Sequence, residues 1–546
     1  MMKKRTMILL LLLGGCLLLS SCEPFEVTSP EDYIGPKITP EPNGVVRASP
    51  KPPAEKPKIP GSGSLNITII DSSLMALENN KSLMVQRYDP EIQRTFVQQE
   101  LSVFDPDLEG SAAYSKSRSL NFTTAGIPST PFKSSGFVAD ASLSQFFPTG
   151  TTVSLDGSTE LQRGFGQQRD RLNSRIGVSA TQSLLRGFGP AVNLASVNQA
   201  RIDVKISQYE LRGFAESLAA QAEETYWNYA LAERQIAIFE QALELAQKQK
   251  VETEERIRVG QLAQSELAAS EATVALRRED LINARSTLVQ TRLNLLRLLN
   301  PPSIDLWKRD IVIESPPVSP DVELEDVEEH IKVAKRMRPD LNQARLLFQR
   351  NELQLIKTRN GLLPKLDLFA TYGRTGFSNA FGESVGNIRD NNYDFLVGVN
   401  FEYPPLNRAA RAADFQATFT RDQSREAIEN LAQLVEVDVR KAYQEVIRSR
   451  EQVTATAVSK RFQEETVRAE TEKFKVGKST SLLVAVAQQA LLNSQITEVQ
   501  AVVSYLNAFV ELYRLEGSLL ERRGIASPGR EPIKLTDMPG YNTNDY

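Results

Sequence analysis

A regular spacing of apolar residues runs through Phe214–Asn300 and predicts a pair of long helices. From Leu267 onward, apolar or small residues recur in alternating steps of three and four, and Arg277 is the one charged member. This period places one apolar stripe along a helix and favours left-handed coiled-coil packing. Gly260 can end the first helix and Ser265 can cap the second. The pattern therefore predicts two antiparallel helices, of which the first has about 45 residues and a length of ~70 Å.

The long helical pattern occurs twice, which indicates an internal duplication. The matching positions, all separated by 217 residues, are Tyr226 and Tyr443, Val259 and Val476, Gly260 and Gly477, and Leu298 and Leu515. Two unrelated helices of similar composition are not expected to share one offset without a gap. We therefore predict two repeats, each with one Val-Gly turn between its long helices.

Stretches of two-residue alternation predict β-strands in both halves. They lie around 108–114, 153–155 and 176–180 in the first half and at 366–372 and 395–403 in the second. Polar, Gly-containing segments at 161–173 and 373–392 are predicted as loops. Strands of about ten residues with one apolar face are typical of a transmembrane barrel, and on periodicity alone a soluble β-domain fits equally well.

Two strands in each half, with one first-half candidate in surplus, give four strands per chain, which is too few to close a barrel. Lipid does not tolerate an exposed sheet edge, so strands that span a membrane would need several chains to share one barrel. After Cys22 the sequence has no long apolar run, and no transmembrane helix is predicted.

Residues 1–21 have the features of a secretory signal peptide, with a basic start and a Leu-rich core. The Leu-Ser-Ser-Cys run that ends at Cys22 resembles a bacterial lipobox, in which the Cys becomes lipidated and forms the new N-terminus. Cys16 also fits loosely, but Leu-rich sequence follows it, whereas Glu-Pro follows Cys22. Lipidation would anchor the chain to a membrane without spanning it. Ordinary secretion with an incidental Cys is the alternative.

The rest of the chain divides into five predicted segments. They are a Pro-rich tether at 22–64, a first repeat of helix, strands and coiled-coil hairpin at 65–300, an inter-repeat linker at 301–326, a second repeat at 327–520 and a polar C-terminal tail at 521–546. The tether holds few large apolar residues and cannot bury a core. The predicted fold class is mainly α with β: long antiparallel coiled-coil helices and transmembrane β-strands, duplicated within the chain.

Composition excludes several classes of function. A formal net charge of −4 gives no electrostatic basis for nucleic-acid binding. Both Cys lie within the first 22 residues and His330 is the only His, so we predict no metal site, no cofactor and no His-based catalytic triad. His330 is expected to be solvated or to cap a helix. The chain is predicted not to be an enzyme.

With these features the sequence resembles the TolC-like outer-membrane efflux proteins over about residues 65–520. The resemblance rests on the duplicated strand and coiled-coil order, the Val-Gly turns, the lipobox and the run 182–189, Gln-Ser-Leu-Leu-Arg-Gly-Phe-Gly. That run is similar to the family's strand-to-helix junction, with Ser183 in place of the family's Pro. The residues that the resemblance assigns to the two junctions are Gln182, Arg186 and Gly187, and Pro404 and Pro405.

The resemblance implies a homotrimer in the outer membrane. Three chains with four strands each would form one 12-stranded β-barrel, continued into the periplasm by a hollow α-barrel. The barrel would be a passive exit duct for small molecules, coupled to an inner-membrane pump through a periplasmic adaptor protein. The adaptor would meet the periplasmic tip, which would carry the turns Val259, Gly260, Val476 and Gly477.

One departure concerns the narrow end of the duct. The family has acidic residues in an Asp-Val-Leu-Asp run after the second Val-Gly turn, whereas residues 482–486 here are Leu-Leu-Val-Ala-Val. Glu266, after the first turn, is the nearest acidic candidate. We therefore predict an apolar constriction that includes Leu483 and Val486 and closes by dewetting.

Two other functions remain open on the sequence alone. The same fold could be the exit duct of a type I protein secretion system. A lipid-anchored coiled-coil scaffold without a pore would share the helical pattern, with its β segments packed internally.

Overall fold

The computed structural model describes residues 64–119, 132–164, 171–302, 306–319 and 324–526. The predicted signal peptide, the lipidation site Cys22, all but the last residue of the tether and the tail beyond residue 526 lie outside these ranges.

The described chain combines helices and strands in an alternating order. The helices are α1 (Ile69–Asn79), α2 (Lys81–Gln86), α3 (Asp89–Leu101), α4 (Pro190–Asn193), α5 (Ala195–Arg258), α6 (Ser265–Leu299), α7 (Val327–Met337), α8 (Pro339–Gly361), α9 (Phe381–Gly386), α10 (Arg408–Lys475), α11 (Ser481–Glu516) and α12 (Leu519–Arg522). The strands are β1 (Leu65–Ile67), β2 (Asp107–Ser119), β3 (Phe132–Phe147), β4 (Thr151–Gly164), β5 (Arg171–Ser183), β6 (Ile311–Ile313), β7 (Lys365–Ser378) and β8 (Tyr393–Glu402).

Four long helices form two hairpins, α5–α6 and α10–α11, where the apolar spacing predicts them. α5 has 64 residues and α10 has 68, so each extends over roughly 100 Å. The predicted length of the first helix, about 45 residues, is wrong because α5 already begins at Ala195. The first part of α5 packs on α3 and on α8, where Asp203 pairs with Arg350 (2.9 Å), and not on a hairpin partner, so it lacks a hairpin's heptad signature. Among the described helices, none combines the length and hydropathy that a membrane-spanning helix requires.

The structure contradicts the predicted cap Ser265 and buries Arg277, the charged residue of the stripe. Ser265 is the first residue of α6 and not its cap, and Gln264 before it has helical dihedral angles, which preclude a side-chain cap. Arg277 is 5% exposed and donates to Asp280 (2.9 Å) and to Gln489 of α11. Arg277 thus joins the two hairpins through its hydrogen bond to Gln489.

Six strands form one antiparallel sheet in the order β2-β3-β4-β5-β7-β8. The prediction of four strands per chain is therefore wrong. All three first-half candidates belong to the sheet, and β3 is additional. Ser, Gly and Ala occupy many positions of β3, which weakens its alternation in the sequence.

The strands also extend into the predicted loops at 161–173 and 373–392. β4 continues to Gly164, β5 begins at Arg171 and β7 continues to Ser378, whereas β8 begins at Tyr393, directly after the second predicted loop. The loops are shorter than predicted because backbone hydrogen bonds continue where the side chains no longer alternate.

The helices that lead into the sheet lie side by side in the order of their strands. α3 precedes β2, α5 follows β5, α8 precedes β7 and α10 follows β8. α5 packs against α3 and α8, and α8 packs against α10. Consequently β2 and α3 lie at one edge of the molecule, and β8 and α10 lie at the other.

A compact core lies against the middle of α5. β1 pairs in parallel with β6, with Leu65 opposite Ile311. The buried hydroxyl of Tyr226 donates to the Ser315 carbonyl (3.2 Å) and accepts from the Ser315 amide (3.1 Å). The segment between the two halves of the chain is thereby attached to the first hairpin.

The end of the described chain packs on α5 through a buried ion pair. Arg523 donates to both carboxylate oxygens of Glu223, each at 2.7 Å, and Glu223 is fully buried. Ile525 packs against the apolar core beside them. The segment predicted as a polar tail, 521–546, therefore begins with docked residues.

The expectation that His330 is solvated or caps a helix is wrong. It is 2% exposed on α7, and its Nδ1 shares a hydrogen bond with Glu516 at the end of α11. Its ring packs against Tyr443, with the ring centroids 5.8 Å apart. Local sequence does not indicate this burial, since Glu516 lies 186 residues away.

Candidate functional site

The two Val-Gly turns have the same geometry. Gly260 and Gly477 lie in the left-handed conformation, with φ of 77° and 75°. In each turn the glycine amide donates to the carbonyl three residues earlier (2.9 and 3.1 Å), and the next amide donates to the carbonyl five residues before it (2.8 Å in both). This pair of bonds is a Schellman motif, in which the left-handed residue is usually Gly. The predicted tip residues Val259 and Val476 immediately precede these glycines and are exposed.

Side chains near the turns join the two hairpins. The Arg256 guanidinium lies over the ring of Phe474, 5.0 Å from its centroid. Glu266, at the start of α6, accepts a hydrogen bond from the Ser481 hydroxyl at the start of α11. A cation–π contact and a hydrogen bond therefore hold the tips of the two hairpins together.

The residues predicted to form a constriction lie next to this contact. Leu483 and Val486 are 52% and 58% exposed, whereas Val484 between them is buried. The carboxylate of Glu266, the acidic candidate, is engaged by Ser481. The start of α11 thus presents apolar side chains at the end of the hairpin.

The first predicted junction is a closely bonded crossing from β5 towards α5. The Gly187 amide, at φ 85°, donates to the side chain of Asn360 at the end of α8 (2.7 Å). The Arg186 amide donates to the carbonyl of Pro364 (3.2 Å). The side-chain oxygen of Gln182 accepts a hydrogen bond from the hydroxyl of Thr151 at the start of β4 (2.5 Å). The junction residues therefore attach to both neighbouring segments.

A glycine that the sequence analysis did not single out completes this junction. Gly150 lies in the β3–β4 turn at φ 87°, and a Cβ added there would be 2.3 Å from the Gly187 carbonyl oxygen. Asn193 donates to the same carbonyl and to that of Pro148, both at 2.9 Å. The Pro-Thr-Gly turn signal at 148–150 was the available indication.

The second junction lies at Pro404 and Pro405. Neither can donate a backbone hydrogen bond, and the ladder between β7 and β8 ends at Glu402. Asn407 follows in the left-handed conformation (φ 37°) and donates to the Leu362 carbonyl (3.3 Å). Both junctions therefore contact the short link between α8 and β7.

The sheet has one apolar and one polar face across all six strands. The apolar row, one paired residue from each strand, consists of Leu108, Leu143, Leu155, Val178, Tyr372 and Phe395. The polar row, next to it on the opposite face, consists of Glu109, Ser142, Asp156, Gly177, Gly373 and Asp394. Every residue of the apolar row is at least 42% exposed. A continuous exposed apolar surface of this extent marks contact with lipid or with another protein.

Charges on the polar face are paired across the sheet. Arg175 of β5 donates to Asp394 of β8 at 2.7 Å, which spans the intervening strand β7. Gly373 of β7 makes room for this pair, because a Cβ there would lie 2.4 Å from the guanidinium.

The comparisons with known proteins agree with this architecture. Residues 331–518 match the family model described as outer membrane efflux protein. The crystal structure of the Campylobacter jejuni CmeC outer membrane channel is similar, with a TM-score of 0.61 and 16% identity over 83% of this chain and 86% of that chain. The outer membrane protein VceC of Vibrio cholerae has a TM-score of 0.60 and 14% identity over 82% of this chain and 96% of that chain. The open state of the Neisseria gonorrhoeae MtrE outer membrane channel has a TM-score of 0.58 and 18% identity over 83% and 90%.

The comparisons by sequence and by structure cover different parts of the chain. A comparison with curated proteins gives no match. At identities below one fifth, the solved structures establish the fold of this chain. The resemblance to the TolC-like outer-membrane efflux proteins is therefore confirmed, by sequence for residues 331–518 and by fold for most of the chain.

Proposed function

We propose that three copies of this chain form a passive exit duct for small molecules through the outer membrane. The sheets would together form a β-barrel, with the apolar row towards lipid and the polar row towards water. The helical hairpins would continue the wall into the periplasm as an α-barrel. The observation that carries this proposal is the sheet with an exposed apolar row across all six strands, attached in strand order to helices of which two are roughly 100 Å long.

The tip turns are the proposed contact with a periplasmic adaptor protein, through which an inner-membrane pump would deliver cargo. Val259 and Val476 support this proposal, because both are exposed in Schellman turns beside the apolar start of α11. Lipidation at Cys22 would add an anchor in the outer membrane. The efflux description of the matching family favours small-molecule cargo over protein secretion by a type I system.

A pore-free scaffold is disfavoured by the same sheet. In a scaffold the β segments would pack internally, whereas the apolar row here is not covered by other parts of the described chain. Apolar side chains left in water on all six strands would make such a protein aggregate.

Negative-stain imaging of the protein extracted from outer membranes with detergent tests the duct. We expect a threefold particle with a stain-filled stem of roughly 100 Å. A monomeric, solid rod would contradict the proposal and favour the scaffold. Loss of resistance to toxic small molecules on gene deletion, restored by the wild-type gene, would separate efflux from protein secretion.

A further inference from the structure

We propose, on the basis of the trimeric duct proposed above, that the barrel has eighteen strands, six from each copy, and that β2 of one copy pairs with β8 of the next. The partner is thus a second copy of this chain, and the surface it fits consists of the two open edges of the sheet. The four strands per copy expected from the sequence would instead give a barrel of twelve strands.

The hairpin β3–β4 accounts for the two additional strands, and it lies within the sheet. β3 pairs with β2 from Asp107↔Ser144 to Ser119↔Phe132, and β4 pairs with β5 from Thr151↔Gln182 onward. The hairpin therefore cannot leave the wall without loss of both ladders. Side chains add to the pairing, since the hydroxyl groups of Ser154 and Ser179 are 2.6 Å apart.

The lipid-facing pattern includes the same hairpin. β3 contributes Leu143 to the apolar row and β4 contributes Leu155, and these side chains are 42% and 44% exposed. On the opposite face, Ser142 and Asp156 belong to the polar row. A hairpin outside the barrel wall would not need one face for lipid and one for water.

The two edge strands have complementary directions. β2 leads away from α3 and β8 returns towards α10, so β8 of a neighbouring copy would run antiparallel to β2. No residue of β8 is buried in the single chain, and every residue of β2 whose burial is described is exposed. Because lipid cannot satisfy the open backbone groups, both edges require a strand as partner.

The helices attached to the edges are also uncovered on apolar faces. Tyr88, immediately before α3, and Ile92 and Phe96 within it are 60%, 50% and 45% exposed. Their spacing of four residues places them on one face of the helix. On α10, just after β8, Phe415 and Phe419 are 63% and 70% exposed. The same two edges are therefore open in the sheet and in the helical layer, as an interface between copies requires.

The strand number sets the width of the outer end. Barrel diameter grows roughly linearly with the number of strands, so eighteen strands give a barrel about 1.5 times as wide as twelve. Barrels of this size keep a water-filled channel. Selection of cargo would then depend on the tip, not on the membrane-spanning part.

Disulfide cross-linking of the assembled protein tests the edge pairing. The middle of the apolar stretch lies near Ser111 on β2 and near Leu396 on β8, and both residues are on the polar face. Ser111→Cys with Leu396→Cys, or with Asn400→Cys to allow for the register, is expected to give a reducible link between copies. Both native Cys precede residue 23, so the body contributes no other thiol.

Two matched pairs make the outcome decisive. Ser158→Cys, on the polar face of β4, combined with Leu396→Cys should give no link between copies. If that pair cross-links and the β2 pair does not, β4 is the true edge, the barrel has twelve strands, and the duct itself is unaffected. Ser154→Cys with Ser179→Cys should form a link within each copy, and its absence in the trimer would place the hairpin outside the wall.

Electron cryo-microscopy of the same trimer gives an independent count of strands around the barrel. Eighteen strands support the inference, and twelve overturn it without touching the duct. A monomer without any link between copies would contradict both the strand number and the proposed function.

Discussion

Gly260 and Gly477 end α5 and α10 in the left-handed conformation, which costs a residue with a side chain about 1–2 kcal/mol. No atom lies within 4 Å of a Cβ added at either position, so backbone strain is the main effect of a substitution. We expect Gly260→Ala to weaken the turn, and the Gln261 amide to exchange its hydrogen about 5 to 30 times faster. Hydrogen exchange followed by mass spectrometry of the tip peptides measures this.

Gly361→Ala, at the end of α8, is the matched control. A Cβ there also meets nothing within 4 Å, but φ at Gly361 is not in the left-handed range. We expect wild-type exchange at the tip in this variant. Equal tip exchange in wild type and Gly260→Ala would show that strain at the turn is negligible.

Glu216 is a carboxylate whose burial changes its protonation. It is 2% exposed, and burial raises its pKa from the ordinary 4.5 to about 7, although the Arg212 guanidinium (3.8 Å) and the Leu520 amide act in the opposite direction. Because the folded-state pKa lies above the unfolded value, the native protein binds the proton more tightly. The free energy of unfolding therefore falls as the pH rises from about 4.5 through 7, by on the order of 3 kcal/mol.

Glu216→Gln should remove this dependence. We expect the apparent Tm of the variant to change less than that of the wild type between pH 5 and 8, and to exceed it at pH 8. Glu233→Gln, exposed on the same helix, should keep the wild-type slope. Parallel pH curves for wild type and Glu216→Gln would refute the raised pKa.

Single residues differ in how far the sequence predicts them. Gly260 and Gly477 were predictable, because a turn with positive φ requires a residue without a side chain. His330 was not, because its burial depends on Glu516, 186 residues away. The same holds for Arg277, whose contact with Gln489 joins helices from different halves.

At the scale of elements, the β3–β4 turn and the first junction fit each other through two glycines. A Cβ on Gly150 would lie 2.3 Å from the Gly187 carbonyl oxygen, and φ is also positive there. We expect Gly150→Ala to displace the turn and to reduce the yield of detergent-resistant trimer several-fold, because a clash adds to the backbone strain.

Gly189→Ala separates these two causes. Gly189 has a φ of 93°, but a Cβ there meets nothing within 4 Å. The trimer yield of this variant should stay near that of the wild type, as judged by gel electrophoresis without heating. Equal losses in both variants would mean that strain alone is responsible.

Elements were predictable to the extent that their side chains alternate or recur. The long helices were predicted because each carries an apolar stripe over many turns, and the strand around residues 395–403 because every second residue of it is large and apolar. β3 was missed because its small residues carry little pattern, and backbone hydrogen bonds to two neighbours define it instead. The start of α5 was missed because it packs on α3 and α8 and not on the second helix of a hairpin.

At the scale of the whole molecule, the proposed duct would be narrowest where copies of α11 begin. Leu483 is 52% exposed there, and no carboxylate follows the second turn through residue 486. We expect Leu483→Ser to raise single-channel conductance in planar bilayers, because a polar ring is wetted more readily than an apolar one. Val437→Ser, exposed on α10 far from the tip, should leave conductance unchanged. An unaltered conductance in Leu483→Ser would refute the apolar constriction and leave the duct in place.

The pairing of β5 with β7 also constrains the order in which the protein can fold. Ser183 lies opposite Asp367, 184 residues later in the chain, whereas each helical hairpin closes through contacts that are near in sequence. Near contacts form faster than distant ones. The first hairpin is therefore expected to form before β7 is available to pair with β5. A chain halted before β7 would carry a folded coiled coil beside an open strand edge, which is a template for aggregation. The edge of β5 must therefore be kept from pairing with other chains during synthesis, although in the finished sheet β7 covers it.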